Sequence, residues 1–298
     1  MTKIVQCVPN FSVGSDTAIL EGLAELGRSV PGCMLLDYSG DKSHNRSVYT
    51  LVGDVEACAE AAVKMAKFAA EKIDLTKHEG EHPRMGATDV IPFVPIKNIT
   101  MEECVEVAKK VGARLAEEAG IPVFLYEEAA SSAGRKNLAT VRKGQFEGMA
   151  EKMQQPEWKP DFGDAKPHPT AGVTGVSARR PLIAFNVNLS TNNVDIANSI
   201  AKAIRGSSGG LKHVKGIGIY IEERDMAQVS MNLVDYETNA LYRVVEFIRM
   251  EAKRYGVSVI GSELIGLAPA RALINSAEYY LQLENFDFDS QVLENALL

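Results

Sequence analysis

The 298-residue chain has one tryptophan, five histidines and four cysteines, and no apolar run reaches the roughly 18 residues that a membrane helix needs. Each scarcity excludes something. Cys7, Cys33, Cys58 and Cys104 are widely spaced and form no CxxC pair, so the chain contains neither a disulfide framework nor a cysteine zinc site. They read as buried thiols in a reducing compartment. No run of Lys or Arg is long enough for a nucleic-acid patch, and the formal net charge is −7, from 39 acidic against 32 basic residues. The N-terminal "MTKIVQCVPNFSVG" has one lysine and a short apolar run broken by Pro9, too little for a signal peptide. The expectation is a cytoplasmic protein with a small-molecule partner, no nucleic acid and no membrane. At 46% hydrophobic and 24% charged, the chain has the composition of a soluble protein able to build a sizeable core in one large domain or two small ones.

"KIVQCVPN" predicts a strand, and Ser15 or Asp16 can cap a helix whose apolar residues Ile19, Leu20, Leu23 and Leu26 recur at helical spacing. "CMLLDYS" and "RSVYTLVG" predict a hairpin about the polar turn "GDKSHN". An Ala-rich helix follows from Val55 to about Ile73. Thr100 and Glu103 form a T-x-x-E capping box for a helix ending near Gly120, before the strand "IPVFLYE". A short helix is expected over 136–149. Then "QQPEWKPDFGDAKPHPTAGVTG", with four of the twelve prolines, reads as the linker between two halves and, given its length, as a candidate binding loop. Beyond it the pattern restarts. "PLIAFNVNLST" is a strand ending in Asn188-Leu189-Ser190, echoing Asn10-Phe11-Ser12, and a helix over 195–205, a hairpin from "VKGIGIYIEE" and "AQVSMNLVD", a helix and the strand "VSVIG" follow. Strand, helix, two strands, helix, strand is the order of a split βαβ, or ferredoxin-like, unit, and each half fits it. The expected fold is therefore α/β (α+β) with two tandem units, 1–180 and 181–298.

His78-Glu79-Gly80-Glu81-His82 fits the zinc-hydrolase pattern H-E-x-x-H, which works only when both histidines face one way from a helix. Gly80 lies between them and Pro83 follows His82, which pushes that residue toward extended geometry. The same stretch packs two His, two Glu and Arg84 between an apolar helix and the apolar "VIPFVPI". Its pattern leaves a solvated loop and an acid–base site both open. "RGSSGGLKH", 205–213, lacks the spacing of a phosphate loop, and "GIG" at 216–218 has no third glycine.

"CVPNFS" (7–12), "NRSVYTLVG" (45–53), "HEGEHPRMGATDVIPFVP" (78–95), "PVFLYEEAA" (122–130), "AGRKNLATVRKGQFE" (133–147), "PDFG" (160–163), "LIAFNVNL" (182–189), "MAQVS" (226–230) and "GSELIGLAPARAL" (261–273) together resemble the glutamate formimidoyltransferase family, across essentially the whole chain. The resemblance implies two α/β subdomains flanking a folate-binding crevice. It also implies a transferase that moves a formimidoyl group from N-formimidoylglutamate to N5 of tetrahydrofolate in histidine breakdown. The alternative is a formyltransferase that uses N-formylglutamate on the same scaffold. The catalytic histidine of "GEHPRMGA" corresponds to His82. The folate loop corresponds to Gly163, Asp164, Ala165, Lys166, Pro167, His168, Pro169, Thr170, Ala171 and Gly172. Arg46, Arg84 and Arg179 stand beside motifs as candidates for the glutamyl carboxylates. The hairpin turn has Ser39 and His44 where the mammalian-type version has an acidic and a small residue. An acidic group serving His82 is then sought in Asp37 or Asp41, and His44 joins the candidate substrate residues. Tetrahydrofolate, mono- or polyglutamylated, enters as co-substrate; no metal is expected, and a homodimer is implied.

Overall fold

The computed structural model describes residues 2–297, which divide into two compact units between Arg179 and Arg180. The first unit opens with β1 (Ile4–Cys7) and β2 (Asn10–Phe11), one strand interrupted at Pro9. Then come α1 (Thr17–Arg28), β3 (Cys33–Asp41), β4 (Arg46–Asp54), α2 (Val55–Lys72) and β5 (Thr88–Lys97). The strands lie in the order β3, β4, β1/β2, β5, all antiparallel neighbours, which is the ferredoxin-like arrangement that the element order predicts. Local chemistry sets the helix ends. Asp16 accepts the Ala18 and Ile19 N–H groups at the start of α1, and the Thr100–Glu103 capping box opens α3 (Met101–Ala119), which stops at Gly120 in the left-handed conformation.

After α3 the sheet grows by β6 (Val123–Glu127) and β7 (Thr174–Ala178), with β7 inserted between β5 and β6 and parallel to both. Both faces are covered here. Val123 and Leu125 join the main core beneath α1, α2 and α3, whereas Phe124 and Tyr126 face a second cluster with Met85, Val141, Met149 and Met153. That two-sided burial explains why "IPVFLYE" is continuously apolar rather than alternating.

Two expectations need correction. The Pro-rich segment is not a linker: it folds back within the first unit, where Val123 N–H bonds Phe162 O (3.0 Å) and Leu125 N–H bonds Asp161 Oδ2 (2.7 Å). Buried Arg135 holds it further, donating to Asp161 Oδ2 (2.9 Å), Glu157 O (2.7 Å) and Lys159 O (2.5 Å). The expected helix over 136–149 is two short ones, α4 (Leu138–Arg142) and α5 (Gln145–Lys152), broken at Gly144, whose φ of 96° no helix accommodates.

The second unit repeats the plan with β8 (Ile183–Leu189), α6 (Val194–Ile204), β9 (Val214–Ile221), β10 (Met226–Leu233), α7 (Leu241–Lys253) and β11 (Val259–Ile265). Its strands run β11, β8, β10, β9, the same order, over a separate core that includes Ile183, Val187, Ile200, Val229, Val244 and Ile248. A further helix, α8 (Ala270–Leu281), follows β11.

Candidate active site

The chain between α2 and β5 is a loop, so His78 and His82 do not share a helix face. His78 is committed elsewhere. Its Nδ1 accepts from Arg84 Nε (3.3 Å), which leaves Nε2 to donate to Asn45 O (3.0 Å). Asn45 Nδ2 donates in turn to Glu79 O (2.7 Å), and Glu81 N–H bonds Ser43 O (3.2 Å). The β3–β4 turn thereby holds the loop, and the H-E-x-x-H geometry is not built.

His82 is half-buried against a charge cluster assembled from four elements. Arg46, the first residue of β4, places Nη1 3.3 Å from His82 Nδ1 and 2.7 Å from Asp89 Oδ2, while its Nε and Nη2 donate to Asn10 Oδ1 on β2 (3.2 and 2.9 Å). Arg142, at the end of α4, donates from Nη2 to the same Asp89 Oδ2 (2.6 Å). Asp89 is fully buried, and its Oδ1 accepts the Met85 N–H (2.9 Å). A bulge puts it there: Asn10 pairs with Val90 and Phe11 with Thr88, leaving Asp89 as the extra residue opposite β2. Bulges of this kind re-aim a side chain beside functional sites. The short α4 is held at both ends. Asn137 Oδ1 accepts the Ala139 N–H (3.0 Å), and Lys152 Nζ donates to Thr140 O, Val141 O and Lys143 O while lying 3.9 Å from the Trp158 ring.

The electrostatics follow from that assembly. Burial alone would raise the Asp89 carboxyl, but Arg46, Arg142 and the Met85 N–H outweigh it and hold the group below the usual carboxylate range. His82 is pushed down to about 4, first by burial and then by the two guanidinium groups, with Asp89 opposing. The imidazole is therefore neutral at pH 7. Because Arg46 can only donate, Nδ1 is the acceptor and the ring proton sits on Nε2.

The segments on either side of His82 are stapled to the Pro-rich loop. Ala87 N–H bonds Ala171 O (2.9 Å), Val173 N–H bonds Met85 O (3.0 Å), and Leu75 N–H bonds Thr170 O (2.9 Å). Gly172 is required at this join: its φ is 68°, and a Cβ would stand 2.3 Å from Met85 O. Within the loop, His168 and Gly172 exchange backbone hydrogen bonds, and His168 Nδ1 accepts the Ala171 N–H (3.0 Å). Gly163, Asp164, Lys166, Pro167, His168 and Pro169 line a pocket of about 290 Å³ together with Ala116 and Gly120 at the end of α3.

Of the residues singled out in the sequence, Arg46 and His82 meet directly, and the His44 ring lies 6.4 Å from that of His82. Asp41 pairs with His44 (3.1 Å), and Asp37 is exposed on β3 opposite Thr50; the carboxylate that reaches the cluster is Asp89. Arg84 is held by both carboxylate oxygens of Glu147 (2.9 and 2.5 Å) and by Gln145 Oε1 (3.2 Å), so its fork is occupied. Arg179, half-buried, follows the last residue of β7 and bonds Phe93 O through its backbone N–H (2.9 Å). Asn10, Asp89 and Arg142 escaped the sequence reading. An aspartate inside the apolar run "TDVIPFVPI" was the signal available for one of them.

A neutral imidazole beside a carboxylate-bridged arginine pair is equipped for proton transfer on a small anionic substrate. Comparison with known proteins makes this specific. The formiminotransferase domain, N-terminal subdomain, matches residues 4–179 and the formiminotransferase domain matches 184–295, so this chain belongs to the formiminotransferase family. It is 62% identical to the glutamate formimidoyltransferase of Streptococcus pyogenes serotype M1, over the full length of both chains. It is 46% identical to that of Thermoplasma acidophilum, over 99% of this chain and 97% of the relative. With the formimidoyltransferase-cyclodeaminase of Mus musculus it shares 46% identity over 95% of its own length, and it spans 53% of that longer protein.

Proposed function

We propose that this chain transfers the formimidoyl group of N-formimidoyl-L-glutamate to N5 of tetrahydrofolate, giving 5-formimidoyltetrahydrofolate and glutamate. The observation that carries the reading is the unbroken, full-length match to a glutamate formimidoyltransferase, with His82 and its arginine–carboxylate cluster inside the matched N-terminal subdomain. The relatives that match end to end both bear the formimidoyltransferase name, which favours the imidoyl donor over N-formylglutamate.

In this reading His82 is the catalytic residue. The lone pair of N5 forms the new bond to the amidine carbon, and the pair of the old C–N bond leaves with the glutamate nitrogen. That nitrogen takes the Nε2 proton of His82 as N5 returns its own to the ring, so the imidazole ends as it began. A ring kept neutral by burial and by two arginines acts as a relay, giving up and regaining its Nε2 proton in the same step, and is never an imidazolium acid at pH 7. Assistance of this kind contributes typically about 10²–10⁴-fold, and holding both substrates in register can contribute more. Residues 163–172 are assigned to tetrahydrofolate because six of them line a pocket and the end of the stretch is tied by backbone to the segment carrying His82. Cytoplasmic location follows from reading the four cysteines as thiols of a reducing compartment, and a homodimer from the family resemblance; no helix among the described residues is long and apolar enough to cross a membrane.

The test is turnover of tetrahydrofolate with N-formimidoylglutamate and, in parallel, N-formylglutamate. Transfer from the first donor alone is expected; transfer from the second alone would replace the proposed reaction by formyl transfer.

A further inference from the structure

The guanidinium of Arg142 is nearly buried, its side chain 13% exposed, yet among the described residues its one hydrogen bond is to Asp89 Oδ2, and its buried Nε has no partner. Arg46, 11% exposed, is by contrast saturated along one edge by Asn10 and along the other by Asp89 and His82. Two arginines share one carboxylate, so the cluster holds one uncompensated positive charge out of water. Arg84, a further cation near the site, is already matched by Glu147. A guanidinium fork with donors to spare, in a site short of one negative charge, is what a carboxylate binds bidentately.

We propose that Arg142, backed by Arg46 and Asp89, is the subsite for the α-carboxylate of the formimidoyl donor. The inference rests on the transferase reading above. A glutamyl carboxylate could also come from the tail of the folate, and connectivity separates the two sources. In the donor a single carbon separates the α-carboxylate from the nitrogen that must face His82. In the folate an aminobenzoyl ring intervenes between N5 and the glutamate. Arg142 is joined to His82 through only Asp89 Oδ2 and Arg46 Nη1, by contacts of 2.6, 2.7 and 3.3 Å, which fits the shorter connection. Asp89 therefore acts as a positioning residue, turning one face of the Arg142 fork inward and leaving the rest for the ligand.

The experiment compares wild type with Arg142→Gln and Arg142→Lys on N-formimidoyl-L-glutamate and on the same donor with its α-carboxylate converted to the carboxamide. Wild type is expected to prefer the carboxylate by about 10- to 100-fold in kcat/KM, the range of a lost charged hydrogen-bond pair. Arg142→Gln should treat both donors alike, with KM for tetrahydrofolate changed less than about twofold, and Arg142→Lys should recover part of the preference as a point charge. An Arg142→Gln enzyme that keeps the full preference would overturn the proposal. So would one whose loss falls instead on discrimination between tetrahydrofolate and tetrahydropteroate, which lacks the glutamate. Calorimetric binding of glutamate to both proteins separates this inference from the reaction it rests on. Binding weakened by Arg142→Gln upholds the subsite even where neither donor is turned over, and equal binding, or none, removes it.

Discussion

The two units share one topology and place polar side chains on the same three strands, yet they do different things with them. In the first unit Asn10, Arg46 and Asp89 come from its first, third and fourth ferredoxin-like strands; in the second, Asn188, Gln228 and Glu263 come from the matching ones. The second trio is closed upon itself. Gln228 Nε2 donates to Asn188 Oδ1 (2.7 Å) and Glu263 Oε2 (3.2 Å), and Arg224, half-exposed, neutralises Glu263 (3.0 Å), itself 39% exposed. The first trio is open: its buried carboxylate also takes a second guanidinium, from Arg142, its arginine meets the His82 imidazole, and the cluster carries one charge in excess. The scaffold supplies the meeting point, and the side chains together with the added α4, Pro-rich loop and β7 decide whether chemistry follows.

The sharpest way to break this comparison is Asp89→Asn, which leaves two nearly buried arginines without their shared counter-charge and should cost about 3–5 kcal/mol of stability in urea unfolding. Next comes His82→Ala, expected to lower kcat at least about a hundredfold while tetrahydrofolate binding, read by fluorescence, stays nearly unchanged. A mutant at wild-type rate removes the assigned role. The same histidine can be followed by NMR, where its midpoint should fall near 4. The sign of the linkage is fixed by that depression. The unfolded chain takes up this proton at a higher pH, so wild type should lose stability relative to His82→Ala as pH falls from about 6.5 to about 4, and no further below. Gly172→Ala, forced into a left-handed backbone against Met85 O, should cost about 1–3 kcal/mol and weaken folate binding. Glu263→Gln in the second unit should cost less than about 1 kcal/mol. Equal penalties for Asp89→Asn and Glu263→Gln would mean that the two trios are alike after all.

Legibility in the sequence followed the range of the interactions. Asp16, the Thr100–Glu103 box and Gly120 act within a turn of the helices they bound, so those ends could be read directly. The echo of Asn10-Phe11-Ser12 in Asn188-Leu189-Ser190 marks the same strand of the repeated unit, because that strand pairs on both sides in each. The Pro-rich segment was misplaced as a linker because its composition reports turns, whereas its anchors, Arg135, Val123 and Ala87, lie elsewhere in the chain. His82 stood out in a conspicuous polar loop. Arg142 did not, since a basic residue at the end of a short helix looks solvated until Asp89, 53 positions away, is brought beneath it. The bulge that exposes Asp89 to both arginines is a property of strand pairing and leaves no local mark.

The insertion of β7 between β5 and β6 has a bearing on the order of assembly. Synthesis completes β5 and β6 by residue 127, but the strand that joins them, and the backbone bonds from Val173 and Ala171 to the segment after His82, wait until about residue 178. Closing contacts across that many residues is slow compared with forming the hairpin of β3 and β4. The antiparallel part of the sheet can thus form early on the nascent chain, and the surroundings of His82 are completed last.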